Sequence, residues 1–115
     1  MIHEGSCHCG KIRYEVEAEI TEAVECNCSI CRRNGYLLTF VARDKVSLKM
    51  PEDLLATYTF NRHLIKHRFC PTCGASLFGM SKNKDGVDMV AVNIRCLPDL
   101  DLGSVKRVPF DGASR

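Results

Sequence analysis

Residues 7–17 read Cys7-His8-Cys9-Gly10-Lys11-Ile12-Arg13-Tyr14-Glu15-Val16-Glu17. Two thiols one residue apart run into an alternation of apolar Ile12, Tyr14 and Val16 with charged neighbours, the period of a strand with one buried face. Such a strand needs a sheet for its apolar side, and its cysteine pair needs further thiols. The chain supplies them. Seven of its eight cysteines fall into three clusters, Cys7 with Cys9, Cys26 with Cys28 and Cys31, and Cys70 with Cys73, and only Cys96 stands apart. That grouping reads as metal ligation in a mainly β fold.

At 115 residues, positions 1–115 read as a single domain, small enough that cross-links matter to its stability. A disulfide-rich secreted scaffold is the first alternative for so many cysteines. The start Met1-Ile2-His3-Glu4-Gly5-Ser6-Cys7 has no charged segment followed by an apolar run, so no secretory signal is read and a cytoplasmic protein is expected. No stretch has the length of a membrane span. In a reducing compartment, cysteines at these spacings are metal ligands or catalytic groups sooner than disulfides. The formal charge is +2; seven thiolates and two zinc ions would take it to −1, which gives no strong pull on nucleic acid.

Further strands are expected at Leu37 to Ala42, Val46 to Lys49, Leu55 to Phe60, Ser76 to Met80 and Val87 to Ile94, several of them rich in β-branched and aromatic residues. Turn chemistry separates them at Asn34-Gly35, Met50-Pro51-Glu52-Asp53, Lys84-Asp85-Gly86 and Leu97-Pro98-Asp99. One or two short helical turns are expected, at Ser29 to Arg33 and at Pro51 to Leu55. The polar run from Val105 to Arg115 reads as a segment lying over the surface.

Cys70-Pro71-Thr72-Cys73-Gly74 is a knuckle turn, in which two intervening residues let both sulfurs face one ion and Gly74 allows a positive φ. A knuckle supplies two ligands, and Cys7 with Cys9 are its natural partners. Cys7, Cys9, Cys70 and Cys73 therefore form the expected structural zinc site. Cys26-Asn27-Cys28-Ser29-Ile30-Cys31 packs three thiols into six residues with no fourth partner nearby. Either the fourth corner is open and the zinc catalytic, or Cys96, His8, His63 or His67 closes it as a second structural site. Cys96 alone reads more simply as a small buried hydrophobe. With an open corner, three thiolates leave a net charge of −1 on zinc, better suited to an incoming thiol than to activating water. Arg32 and Arg33 are candidate donors to a substrate carboxylate.

Several segments resemble the glutathione-dependent formaldehyde-activating enzymes, a domain shared with centromere protein V. They are Gly5-Ser6-Cys7-His8-Cys9-Gly10 with Ile12 to Val16, Cys26 to Arg33, His67 to Gly74, Val92 to Leu97, and Phe110-Asp111-Gly112. The resemblance implies an Mss4-like fold of small antiparallel β-sheets stapled by zinc, shared with a Rab-binding exchange factor and with methionine sulfoxide reductases of the R-specific type. It implies two zinc ions per chain, a structural one on Cys7, Cys9, Cys70 and Cys73 and a catalytic one on Cys26, Cys28 and Cys31. The implied activity is a carbon–sulfur lyase run in reverse, adding glutathione to formaldehyde to give S-hydroxymethylglutathione. Its partners would be a small thiol and an aldehyde. Two other readings of the residues stay open, a non-catalytic zinc-stabilised binding module and a thiol redox protein working through the CxCxxC stretch.

Overall fold

A computed structural model describes residues 1–114; Arg115, the end of the C-terminal run, lies outside the described residues. Among the described residues, ten strands form two sheets. The alternation after Cys9 becomes β2 (Arg13–Glu17), with Ile12, Tyr14 and Val16 all buried as the pattern requires. It lies between β1 (Ile2–Ser6) and β5 (Val46–Leu48) in a three-stranded antiparallel sheet.

The second sheet has seven strands. Along it lie β10 (Lys106–Phe110), β3 (Glu22–Cys26), β4 (Leu38–Ala42), β9 (Asp88–Asn93), β8 (Ser76–Lys82), β7 (Lys66–Phe69) and β6 (Ala56–Tyr58), in that order. Every pairing in it is antiparallel except β10 with β3, which run parallel. The strand Val87 to Ile94 is thus trimmed to six residues, and Leu55 to Phe60 to three. Both expected helical turns form, as α1 (Ser29–Asn34) and as a 3-10 turn at Glu52–Leu54 that starts after Pro51. No helix among the described residues is long and apolar enough to cross a membrane.

The two sheets share one core. Tyr14 of the small sheet meets Phe78 of the large one edge to face, with ring centroids 4.6 Å apart, among buried Leu37, Leu77, Val90, Val92 and Ile94. Each large side chain taken fully out of water here contributes about 1.5–3 kcal/mol. Gly5 pairs with Tyr14 across β1 and β2, and the Tyr14 ring occupies the space a side chain at position 5 would need. Gly5→Ala should therefore lower stability by about 1–3 kcal/mol through overpacking. Thermal melting checks this, and an unchanged midpoint would mean that the ring moves aside freely.

Four strands carry no clear sequence signal, for different physical reasons. β1 has an exposed outer face and buries only Gly5, so its residues need not alternate. β3 buries Ala23 alone. β7 reads Lys-His-Arg-Phe, yet its neighbours bury His67 and Arg68. The Arg68 guanidinium donates to Glu52 Oε2 at 3.2 Å and to the Glu52 carbonyl at 3.2 Å, fastening the 3-10 turn to the sheet. β10 corrects the reading of Val105 to Arg115 as a simple surface segment. It is a polar edge strand that adds to β3 in parallel, with Phe110 in register with Cys26, and its Pro109 suits a strand with one free side.

Candidate metal centres and the cleft beside them

The first cluster joins the two sheets. Cys7 and Cys9 lie in the β1–β2 connection, and Cys70 and Cys73 in the β7–β8 connection. The Cys7 amide donates to the Ile12 carbonyl at 3.1 Å, and the Ile12 amide donates back to Cys7 Sγ at 3.3 Å. In the knuckle, the Gly74 amide donates to the Cys70 carbonyl at 2.8 Å, and Gly74 takes φ +80°, the left-handed conformation that the turn demands.

All four sulfurs lie within 4.8 Å of one another, with Cys7 to Cys9 at 3.6 Å and Cys9 to Cys70 at 3.7 Å. A disulfide would bring a pair to about 2.05 Å. Sulfurs about 2.3 Å from a central zinc at tetrahedral corners would stand about 3.8 Å apart, so the spacing fits a shared ion. The backbone prepares for thiolates. The amides of Ala75 and Cys9 bring the Cys73 thiol down to about 6, and the amides of Cys73 and Thr72 lower Cys70. Against the Lys11 amide, burial and the neighbouring thiols push Cys9 up to about 11. Crowded thiolates with no cation between them repel, and a dication is what such a donor set lacks.

The second cluster sits where β3 runs into α1. Cys26 ends the strand, Cys28 is the residue before the first helical turn, and Cys31 is buried within it. Their sulfurs also lie within 4.8 Å of one another, and the Cys28 amide donates to Cys26 Sγ at 3.4 Å. Burial, followed by the neighbouring Cys28 and Cys26, drives the Cys31 thiol well up. Cys28 is held down despite burial, by the amides of Cys31 and Ile30 and by the adjacent thiols. This trio too could hold a cation.

No histidine or fourth cysteine joins the trio among the described residues. His8 is exposed, and His63 Nδ1 shares a 2.7 Å hydrogen bond with Thr59 Oγ1. His67 stacks on Phe60 with centroids 5.3 Å apart, and burial lowers its pKa. Cys96 packs against the core and donates toward the Ser76 carbonyl at 3.5 Å. None of the four residues that could have closed the trio, Cys96, His8, His63 and His67, belongs to its group.

Helix α1 is anchored firmly. Its C-terminal cap Gly35 accepts from Arg95 Nε at 2.7 Å, and Tyr36 shares a 2.6 Å hydrogen bond with Ser76 on β8. Beside the helix lies a cleft of about 330 Å³ lined by Ser29, Ile30, Arg33, Tyr58 and Phe60. Of the two arginines expected to receive a carboxylate, only Arg33 lines it. Arg33 Nη1 already donates to the Ser29 carbonyl at 2.8 Å, which holds the guanidinium at the rim. Tyr58 and Phe60 stack with centroids 5.8 Å apart and form the apolar wall. Their contribution escaped the sequence reading, because the end of β6 and the residues after it come to the helix from far along the chain. Asn27 and the segment after β10 escaped it as well. The Asn27 amide donates to the Phe110 carbonyl at 3.2 Å, and its side chain bonds Asp111 and Ala113.

Fold and site together define a mainly β protein with two cysteine clusters that could hold metal ions, one offering four thiols and the other three. The family model of the glutathione-dependent formaldehyde-activating enzymes matches residues 2–105, and the chain belongs to that family. A similar solved structure is the crystal structure of a Rhodobacter sphaeroides protein. It shares 29% identity over 91% of this chain and 99% of that one, with a TM-score of 0.76.

Proposed function

We propose that residues 1–115 act as one zinc-binding domain of a carbon–sulfur lyase-like enzyme that adds a small thiol, glutathione being the leading candidate, to an aldehyde such as formaldehyde. The observation that carries this reading is the three-thiol cluster, one donor short of a tetrahedron, whose Cys31 shares a short helix with the Arg33 that lines a cleft. The family description supports the same substrates. Eight free cysteines suit a reducing, cytoplasmic setting.

Cys7, Cys9, Cys70 and Cys73 would hold a structural zinc, and Cys26, Cys28 and Cys31 a catalytic one. An ion held by these three thiolates would supply positive charge that favours the deprotonated form of a thiol substrate. Arg33 pairs with a carboxylate of the thiol substrate, and Tyr58 and Phe60 cover its apolar stem and keep water from that side. In the addition, the S–H bond breaks, a carbon–sulfur bond forms at the carbonyl carbon, and the carbonyl π pair becomes an O–H bond. Atoms and electrons balance without a redox partner. Because this addition proceeds slowly unaided, the chain's main task is to hold two reactants in line.

Cobalt in place of zinc makes the trio visible. Glutathione should change the visible spectrum of the cobalt protein, and Arg33→Ala should require about tenfold more glutathione for the same change, the usual cost of a lost charged hydrogen bond. A spectrum indifferent to glutathione would favour a purely structural second clamp and the binding-module reading.

A further inference from the structure

After β10 the chain crosses the three-thiol cluster instead of leaving the surface. At Gly112 the crossing is tightest: a Cβ there would come within 2.5 Å of Cys26 Sγ and 3.2 Å of Cys28 Cβ. Backbone therefore lies directly against the sulfur, at a spacing that no residue with a side chain allows. The crossing is also tied down. Asn27, between two of the three cysteines, donates from Nδ2 to Asp111 Oδ1 at 3.0 Å and accepts at Oδ1 from the Ala113 amide at 2.9 Å. Its own amide donates to the Phe110 carbonyl at 3.2 Å. Asp111 uses its second oxygen to accept from Ser114 Oγ at 2.7 Å, which closes the segment into a 3-10 turn.

The Asn27 amide bond closes the ladder of β10 with β3 at Phe110 and Cys26, but the side-chain bonds of Asn27 and Asp111 lie beyond that ladder. Asn27 is exposed, so its side chain contributes nothing to the core. A polar side chain that reaches out of the cluster loop to grip both sides of Gly112 has one evident effect, which is to keep the segment down over Cys26.

We propose that residues 110–114 are a strap over the Cys26 side of the three-thiol site, with Asn27 as its latch and Gly112 as the residue whose missing side chain lets it close. Opening of the strap then governs how fast this site exchanges its ion and how readily Cys26 meets reagents from solvent. Asn27 and Gly112 are positioning residues, since they act through the strap. The ion-exchange half of the proposal rests on the trio being a metal site, and the thiol-access half does not.

The test uses the full chain loaded with zinc, with Asn27→Ala and Gly112→Ala as variants and Ala113→Gly as the control, because Ala113 offers only its amide. Zinc transfer to a chromophoric chelator should show a fast phase from the trio and a slow phase from the four-cysteine cluster. In both variants the fast phase should quicken about tenfold, the effect of losing a pair of ordinary hydrogen bonds, while the slow phase and the melting midpoint stay put. Alkylation of Cys26 by iodoacetamide, mapped on peptides, should accelerate by a similar factor. Unchanged exchange and alkylation in Asn27→Ala overturn the strap, and Asn27→Ala decides the matter should Gly112→Ala fail to fold. A wild-type protein holding a single zinc would instead overturn the reading of the trio, and Cys26 alkylation alone would then judge the strap.

Discussion

Cys70→Ser is expected to unfold the protein, and a strong chelator is expected to do the same to the wild type. Cys70 is buried within the core cluster, and its sulfur lies 3.7 Å from that of Cys9, which is 61 positions away in the chain. Closing a loop of that length by a covalent bridge would be worth about 4 kcal/mol in the loop-entropy model. A structural zinc contributes more, since the apparent binding free energy of such sites, about 10–16 kcal/mol at pH 7, is largely folding free energy. A small domain has only about 5–15 kcal/mol of net stability, so losing most of the ion's contribution leaves little. The other links between these two loops are weak, such as the exposed Lys11 to Thr72 hydrogen bond at 3.3 Å. Serine adds a second cost by placing a hydroxyl where the thiol was buried. Circular dichroism and thermal melting should show no cooperative transition in the variant. A Cys70→Ser protein that melts like the wild type would sink the structural clamp.

The parts of the molecule that were legible in its sequence are those where one physical demand acts alone. Ile12, Tyr14 and Val16 alternate because one face of β2 meets the core and the other meets water. The cysteine spacings were legible for a similar reason, because tetrahedral ligation tolerates few arrangements of two loops. β7 shows the opposite case. Its His67 and Arg68 are buried through pairing with β6 and β8 and through the Arg68 bond to Glu52, none of which leaves a local pattern.

The candidate site divides along the same line. Its sulfur atoms come from short motifs and could be named from spacing, but its walls come from distant strands. Tyr58 reaches the cleft at the end of β6 and Phe60 just after it, and the strap reaches Cys26 through a parallel pairing of β10 with β3 that no turn signal announces. Parallel neighbours need a long connection, and here residues 27–105 intervene between them. The resemblance of Phe110-Asp111-Gly112 to the family marked that segment without giving it a role. Only the fold brings Gly112 against Cys26.

Cys28→Ser should separate function from folding. Cys28 is half-buried and caps α1 through its backbone, its carbonyl accepting from the Arg32 amide at 2.9 Å. Serine is among the preferred residues at a helix N-cap, so the helix and the fold should hold in the variant. The trio, however, drops to two thiolates. With the four-cysteine cluster intact, native mass spectrometry should find one zinc in place of two. Addition of glutathione to formaldehyde should fall to the uncatalysed background, a loss on the order of 10³-fold if positioning at this site supplies even a modest share of the effective concentration available to oriented reactants. Cys70→Ser and Cys28→Ser thus predict opposite pairings, one losing fold and activity together and the other losing activity alone. Should Cys28→Ser keep both ions and the full rate, the chemistry would have to lie elsewhere, and the cleft beside Arg33 would serve binding only.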